Sequence, residues 1–338
     1  MEIILLFSAL VSFILALLLL PKWIKKCKQV GLLWEDMNKY SHPKNVASSG
    51  GFVVVISFVL GVLSYVAIRT FITNESDGIT LSIIAMLSSI LVLALVGIVD
   101  DFLGWKHGGL SMRVRIFLAF AASIPLVVIN AGESAMNLPL LGNVQLGLIY
   151  PLILIPIGIA GASISYNFLA GFNGLEAGQG IILISFLSFI AYLTGSSWLS
   201  IIGLCMVASL IVFYCYNKFP AKVFPGNSMT WTIGGLIAIM AILGNFEKIA
   251  FFVFIPYIAE VILKIRGKLK KQSFGIPDKK NNLKMPFEKI YGLTHASIFI
   301  LSKFKKDVKE KDVVYFIFGV QIAICLLALL IFKSTLFA

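Results

Sequence analysis

Two adjacent acids, Asp100 and Asp101, stand at the end of a long apolar run in the stretch GIVDDFLGWK. A charged side chain at a bilayer centre costs about 2.5–3.5 kcal/mol, and less near the edge, so a paired acid there suggests a purpose. Two carboxylates could bind a divalent cation or share a proton; the bland alternative is a span that simply ends in water. A second cluster, NFLAGFNGLEAGQG at 167–180, breaks two apolar runs with four glycines, Asn167, Asn173 and one acid, Glu176. Glycines let a backbone approach a phosphate or a base, and asparagine amides can ligate magnesium or read a base edge. It is no Walker A loop, because no Gly-Lys-Ser/Thr follows.

Three further clusters carry polar groups. In AKVFPGNSMTW, 221–231, a helix starting at Met229 would take Asn227 or Ser228 as its N-cap, and free amides at that end favour an anion. EDMNKYSHPKN, 35–45, mixes Asp36, Asn38, Lys39, His42 and Lys44 and by itself reads as a solvated loop. The polar segment 265–311 is strongly basic and contains His295 in YGLTH. It reads as a small hairpin around GIPDKKNNLKM and an amphipathic interfacial stretch around GLTHASIFILSKF.

The elements that must position these residues are membrane helices. With 59% hydrophobic and 13% charged residues in 338, the chain is too apolar for one soluble core. Ten apolar stretches, near 3–21, 50–69, 79–99, 114–131, 148–166, 179–195, 198–217, 229–244, 248–264 and 312–333, approach or reach spanning length. Backbone groups in lipid must be satisfied within the segment, so the expected fold is an all-α integral membrane protein of about ten spans. Residues 1–338 form one polytopic domain, with a basic loop at about 265–311.

Lys and Arg set the orientation. Six lie in 22–44, three in 100–115, two in 217–228 and 14 in 264–311, leaving Arg69, Lys248 and Lys333 outside these segments. The positive-inside rule then puts both termini outside and all five polar clusters on the cytoplasmic face of a cell membrane. The net charge of +12 is concentrated there and suits anionic lipid or phosphate-bearing small molecules; no nucleic-acid partner is expected. Cys27, Cys205, Cys215 and Cys325 form no CxxC pair, so neither a disulfide framework nor a zinc site follows. Basic groups, amides and paired acids at one membrane face are the parts needed to move a phosphoryl group with magnesium.

Taken in order, DMNK, VDDFLGW, NFLAGFNGLEAGQG, KVFPGNSMTW and KIYGLTH resemble the polyprenyl-phosphate N-acetylhexosamine-1-phosphate transferases. The loop NGLEAGQ and the solitary His295 are more similar to the archaeal and eukaryotic dolichyl-phosphate branch than to the bacterial one. The resemblance runs from about residue 31 to 295 and implies UDP-N-acetylglucosamine and a polyprenyl or dolichyl phosphate as partners. It implies Mg2+, with Mn2+ as a substitute, and is compatible with a homodimer. Asp100 should deprotonate or position the lipid phosphate, with Asp101 in support and Asn167 on the metal. Asn173 matches the uracil-reading asparagine and Phe224 the aromatic that stacks on uracil. Asn38, Lys39, Lys106, Arg115, Gly174 and Glu176 complete the expected substrate-binding set.

Three positions depart from the family pattern. Ala47-Ser48 stands where Pro-Glu is common, and Ser273, Phe274 and Gly275 stand near where the eukaryotic enzymes have arginines, so Lys268, Lys270 or Lys271 would have to substitute. Asn227 replaces an aspartate that ligates magnesium in the family. An amide oxygen can ligate the ion but brings no negative charge, so weakened metal binding and impaired turnover are expected. The competing expectation is a transporter or flippase, motivated by the span number and by Pro151 and Pro156 within the fifth span. Against it, Glu260 is the only acid placed inside a span, whereas transporters usually carry ionisable groups near the midplane.

Overall fold

The structure, a computed structural model, describes residues 2–74, 78–138 and 142–336. In chain order the helices and strands are α1 (Glu2–Val30), β1 (Leu33–Glu35), β2 (Lys44–Ala47), α2 (Gly51–Ile68), α3 (Ile79–His107), α4 (Met112–Ala121), α5 (Ile124–Val128), β3 (Ala135–Leu138) and β4 (Gly142–Gln145). There follow α6 (Ile155–Phe168), α7 (Leu175–Leu193), α8 (Ser197–Asn217), α9 (Asn227–Leu243), α10 (Glu247–Val253) and α11 (Ile255–Arg266). The chain ends with β5 (Ile276–Pro277), β6 (Leu283–Lys284), α12 (Leu293–Phe304), α13 (Glu310–Ile331) and α14 (Lys333–Leu336). Wide π-type turns extend α2 over Arg69–Thr73 and precede α6 over Tyr150–Leu154.

Among the described residues, seven helical segments are long and apolar enough to cross a membrane. They correspond to α1, α2, α3, α6 with its preceding turn, α7, α8 and α13. The other three expected spans take different forms. The stretch 114–131 is broken into α4 and α5, and 248–264 into α10 and α11. Pro125 and Pro256 sit in the first turns of α5 and α11, where a residue without an N–H can begin a helix but not continue one. The stretch 229–244 is the single helix α9, of 17 residues.

α9 is the centre of the bundle. Fourteen of its 17 residues are buried, so protein rather than lipid surrounds it. It packs against α3, α6, α2 and α10. The approach to α3 is close: a Cβ on Gly97 would overlap the backbone of Asn227 and Ser228. Small residues at such crossings let helices meet where no hydrophobic effect drives them together.

Among the described residues, three antiparallel hairpins decorate the bundle: β1 with β2, β3 with β4, and β5 with β6. The last is the hairpin expected around GIPDKKNNLKM, and α12 is the amphipathic stretch expected after it. The β1–β2 unit also grips the segment before α9. Ala47 N–H donates to Lys222 O at 3.2 Å, Phe224 N–H to Ala47 O at 2.8 Å, and Gly50 N–H to Phe224 O at 2.9 Å. This clamp fixes the backbone of Phe224 before the helix begins.

Candidate active site

At the junction of α3 and α9 the structure corrects the expected cap. The helix starts at Asn227, and its N-cap is Gly226, whose φ of +71° favours glycine. A Cβ there would also overlap the Asp101 carboxylate. Neither Asn227 nor Ser228 caps the helix with its own side chain. Asp101 does so from α3: its Oδ1 accepts the Asn227 N–H at 2.7 Å, and its Oδ2 the Ser228 hydroxyl at 3.2 Å and the Ser228 N–H at 3.4 Å. A carboxylate on helix N-terminal amides is favoured by hydrogen bonding and by the helix dipole together. The anion expected at this helix end is therefore a side chain of the protein.

Asp100 is placed differently. Its Oδ1 accepts the Leu110 N–H at 2.6 Å and the Arg115 Nε–H at 3.1 Å, and lies 2.9 Å from Arg115 Nη2. Its Oδ2 accepts a hydrogen bond from the Asn227 amide nitrogen. Arg115 belongs to the first turn of α4, which Ser111 caps by accepting the Val114 N–H at 3.4 Å.

These groups face a cavity of about 490 Å³. Of the expected site residues, Asp100, Asp101, Arg115, Asn167, Glu176, Phe224 and Asn227 line it. Asn167 Oδ1 accepts the Thr230 hydroxyl at 2.8 Å, one helical turn along α9 from Asn227. Glu176 Oε1 accepts the Gly171 N–H at 2.8 Å, closing the glycine turn on itself. Tyr166 holds the same turn by donating to the Glu176 carbonyl at 2.6 Å.

Four expected residues stand elsewhere. Asn38, Lys39, Asn173 and Gly174 are absent from the cavity wall. Asn38 ties two segments together, donating to Gly171 O at 2.9 Å and accepting the Gly275 N–H at 3.1 Å. Lys39 pairs with Asp36 at 2.6 Å. Asn173 is buried against Asp36 and Glu310, and Gly174, at φ +85°, precedes α7. Lys106 lies on α3, and its side chain is outside the described residues. None of Lys268, Lys270 and Lys271 reaches the cavity wall; Lys271 Nζ sits 4.6 Å from the centre of the Phe287 ring.

Trp34, Phe172 and Thr230, not singled out in the sequence, also line the cavity, as do Ser48 and Phe274, which the sequence marks only as departures from the family pattern. Thr230 had a signal, its i+3 spacing from Asn227 on one helix face. The aromatic residues had none, because apolar residues abound in this chain. Phe274 packs against Gly171, where a Cβ would overlap its ring.

Beside the cavity, on α12, His295 is fully buried. Desolvation, with the nearby Lys264 ammonium, pushes its imidazole down to about 4, and the Phe274 and Gln272 carbonyls only partly offset this. Lys264 itself donates to Ser273 Oγ at 2.5 Å, and Glu260 accepts the Leu293 N–H at 2.5 Å. This sealed cluster fixes the start of α12 and the segment carrying Phe274.

A mostly helical membrane bundle with an acid pair, an arginine and two amides in the wall of one cavity defines a membrane-embedded transferase more readily than a transporter. Comparison with known proteins agrees. The model of glycosyl transferase family 4 matches residues 83–245. A Saccharolobus solfataricus protein, named provisionally as a UDP-N-acetylglucosamine–dolichyl-phosphate N-acetylglucosaminephosphotransferase, is 32% identical over 97% of this chain and 96% of its own. The Dictyostelium discoideum protein of the same name is 30% identical over 76% of this chain and 69% of its own. A phospho-N-acetylmuramoyl-pentapeptide-transferase of Wolbachia pipientis is 26% identical over 74% and 78% respectively. The chain belongs to glycosyl transferase family 4 and is an enzyme of that family. Family membership does not favour the transporter reading.

Proposed function

We propose that this protein transfers N-acetylglucosamine 1-phosphate from UDP-N-acetylglucosamine to a polyprenyl phosphate of the dolichyl type, releasing UMP. An oxygen of the lipid phosphate attacks the sugar-bearing phosphorus of the nucleotide, and the bond between the two nucleotide phosphates breaks. One phosphoanhydride replaces another, so the barrier is lowered mainly by alignment and by neutralising crowded charge. The observation that carries this reading is the Asp100–Arg115–Asn227 constellation at a cavity reached by the ends of membrane helices.

Each group has a task that its contacts allow. Arg115 offers a cation to phosphate oxygens, Asp100 holds Arg115 and can take a proton from the incoming lipid phosphate, and Asp101 fixes the start of α9. Phe224, clamped by the β1–β2 unit, offers a ring face to uracil. We place the cavity on the cytoplasmic face of a ten-span cell-membrane protein, with both termini outside, because 25 of the 28 Lys and Arg residues lie in segments on that side.

Among the described residues no three His, Cys, Asp or Glu side chains form a metal cluster. Donors at the cavity include the carboxylates of Asp100 and Asp101, close to the amides of Asn167 and Asn227, with Glu35 and Glu176 elsewhere in the lining. Magnesium is commonly held by one or two carboxylates together with substrate phosphates, so this set fits an ion that arrives with the diphosphate. Asp100, Asn167 and Asn227 would hold it, and the ion would supply charge neutralisation across the two phosphates.

The test is UMP release from UDP-N-acetylglucosamine with a polyprenyl phosphate and magnesium, comparing the protein with Asn227→Asp. Faster turnover of the aspartate form, with a lower magnesium requirement, is expected. No lipid-linked sugar from either form overturns the assignment.

A further inference from the structure

The helix α12 has two faces of different chemistry. Thr294, His295, Ser297 and Ile298 are buried, at the spacing of one helical stripe. On that inner face the Thr294 hydroxyl donates to the Ser273 carbonyl at 2.8 Å, one residue before Phe274 of the cavity wall. Phe299, Ile300, Lys303 and Phe304 form the outer face, all exposed, and Phe304 is 85% exposed.

Two observations say what that outer face meets. The first is charge: from Phe299 to Lys309 there are four lysines, Lys303, Lys305, Lys306 and Lys309, against one acid, Asp307. Asp307 already accepts from the Asn282 side-chain nitrogen at 3.1 Å, and Lys305 is paired with Asp312 at 2.7 Å. Lys303 and Lys306 stand exposed, with the Lys303 ammonium 4.5 Å from the centre of the Phe299 ring. The second observation is continuity. α13, long and apolar enough to cross a membrane, packs on α12 and begins at Glu310, so that five residues separate it from Phe304. A link of that length reaches at most about 20 Å, which holds the outer face at the bilayer surface. An exposed aromatic between lysines at such a surface buries its ring at the headgroup–acyl boundary, while the lysine stems lie along it and keep their ammonium groups among the headgroups. Cations placed there favour anionic headgroups over zwitterionic ones. An acidic protein would have to displace lipid to reach the same face.

We propose that the outer face of α12 is a docking surface for anionic lipid headgroups, and that through Thr294 it steadies the Ser273–Phe274 segment of the cavity wall, so that the charge of the bilayer tunes nucleotide binding. The coupling to nucleotide binding rests on the transferase reading of the cavity; the docking does not.

The full-length protein is placed in nanodiscs of phosphatidylcholine alone and of phosphatidylcholine with about one-third phosphatidylglycerol, an anionic lipid. Amide hydrogen exchange is followed over 293–306 and 271–275, and KM for UDP-N-acetylglucosamine is measured in the same discs. Phe304→Ser and the double variant Lys303→Gln with Lys306→Gln are compared with the unaltered protein. Anionic discs should slow exchange in both segments and lower KM several-fold with kcat little changed. The lysine variant should lose this lipid dependence, since each lysine near an anionic surface contributes about a fivefold preference. Phe304→Ser should speed exchange over 293–306 in both kinds of disc. Exchange that is the same in the two lipids, or a lipid dependence that survives loss of both lysines, overturns the docking surface. Protection confined to 293–306 with an unchanged KM overturns the coupling to the wall. Lipid-dependent exchange without turnover in any disc overturns the transferase reading instead.

Discussion

Two acid pairs, one in the cavity wall and one behind it, are each joined by an asparagine. Asp100 and Asp101 lie side by side on α3 and meet Asn227 at the start of α9. Asp36 and Glu310 come from segments 274 positions apart and meet Asn173. The first set lines the cavity, and the second is sealed behind its wall. Similar groups thus take different work according to where they face. At the cavity, Asp100 is held by an arginine whose charge a phosphate can share; behind it, both carboxylates are occupied in holding a neighbour.

The sharpest way to break this comparison is to remove one acid from the cavity set. Asp100→Ala should lower UMP release by about 10²–10⁴-fold, the range for loss of a positioned proton acceptor, while the protein remains folded. The matching change behind the wall, Asp36→Ala, should keep far more turnover. Equal losses in the two variants would erase the distinction between them. Next in size is Gly226→Ala, which forces a positive φ on alanine and pushes a methyl into Asp101. About 1–3 kcal/mol of stability should be lost, read as a lower unfolding temperature, with activity falling because Asp101 no longer seats α9.

Asn38→Ala sharpens the second region. It leaves Gly275 N–H without its acceptor and Gly171 O without a donor, a cost of about 1–3 kcal/mol. Because these two backbone segments carry Gly171 and Phe274 of the cavity wall, KM for the nucleotide donor should rise more than kcat falls. A purely kcat-limited defect would mean that Asn38 acts in the chemistry and not on the wall.

The comparison also shows which part of the site the sequence exposes. Asp100 and Asp101 are conspicuous because charge is expensive beside a span, and Asn167 and Asn173 because polar residues interrupt two apolar runs. The spans themselves follow from hydropathy, and the β5–β6 hairpin from its crowd of turn residues. Asp36 and Glu310 are hidden for the opposite reason. Each stands in a locally ordinary setting, a polar loop and the first turn of a helix, and becomes unusual only when long-range packing seals it. Asp101 as the cap of α9 is hidden in the same way, since 126 positions separate donor from acceptor. The breaks at Pro125 and Pro256 were visible as residues, but whether a proline kinks a span or ends it depends on the neighbours that satisfy the freed backbone groups.

The smallest expected effect concerns a buried base that answers neither acid pair. His295 on α12 is held neutral, its pKa lowered from 6.5 to about 4 by burial and then by Lys264. Between those values the unfolded chain binds a proton that the folded chain refuses, so stability falls as pH drops through 6.5 toward 4 and is unaffected above. From pH 7 to 5.5 the loss should be about 1 kcal/mol, measurable as a lowered unfolding temperature that His295→Gln removes. A pH dependence that survives the substitution would overturn His295 as its source.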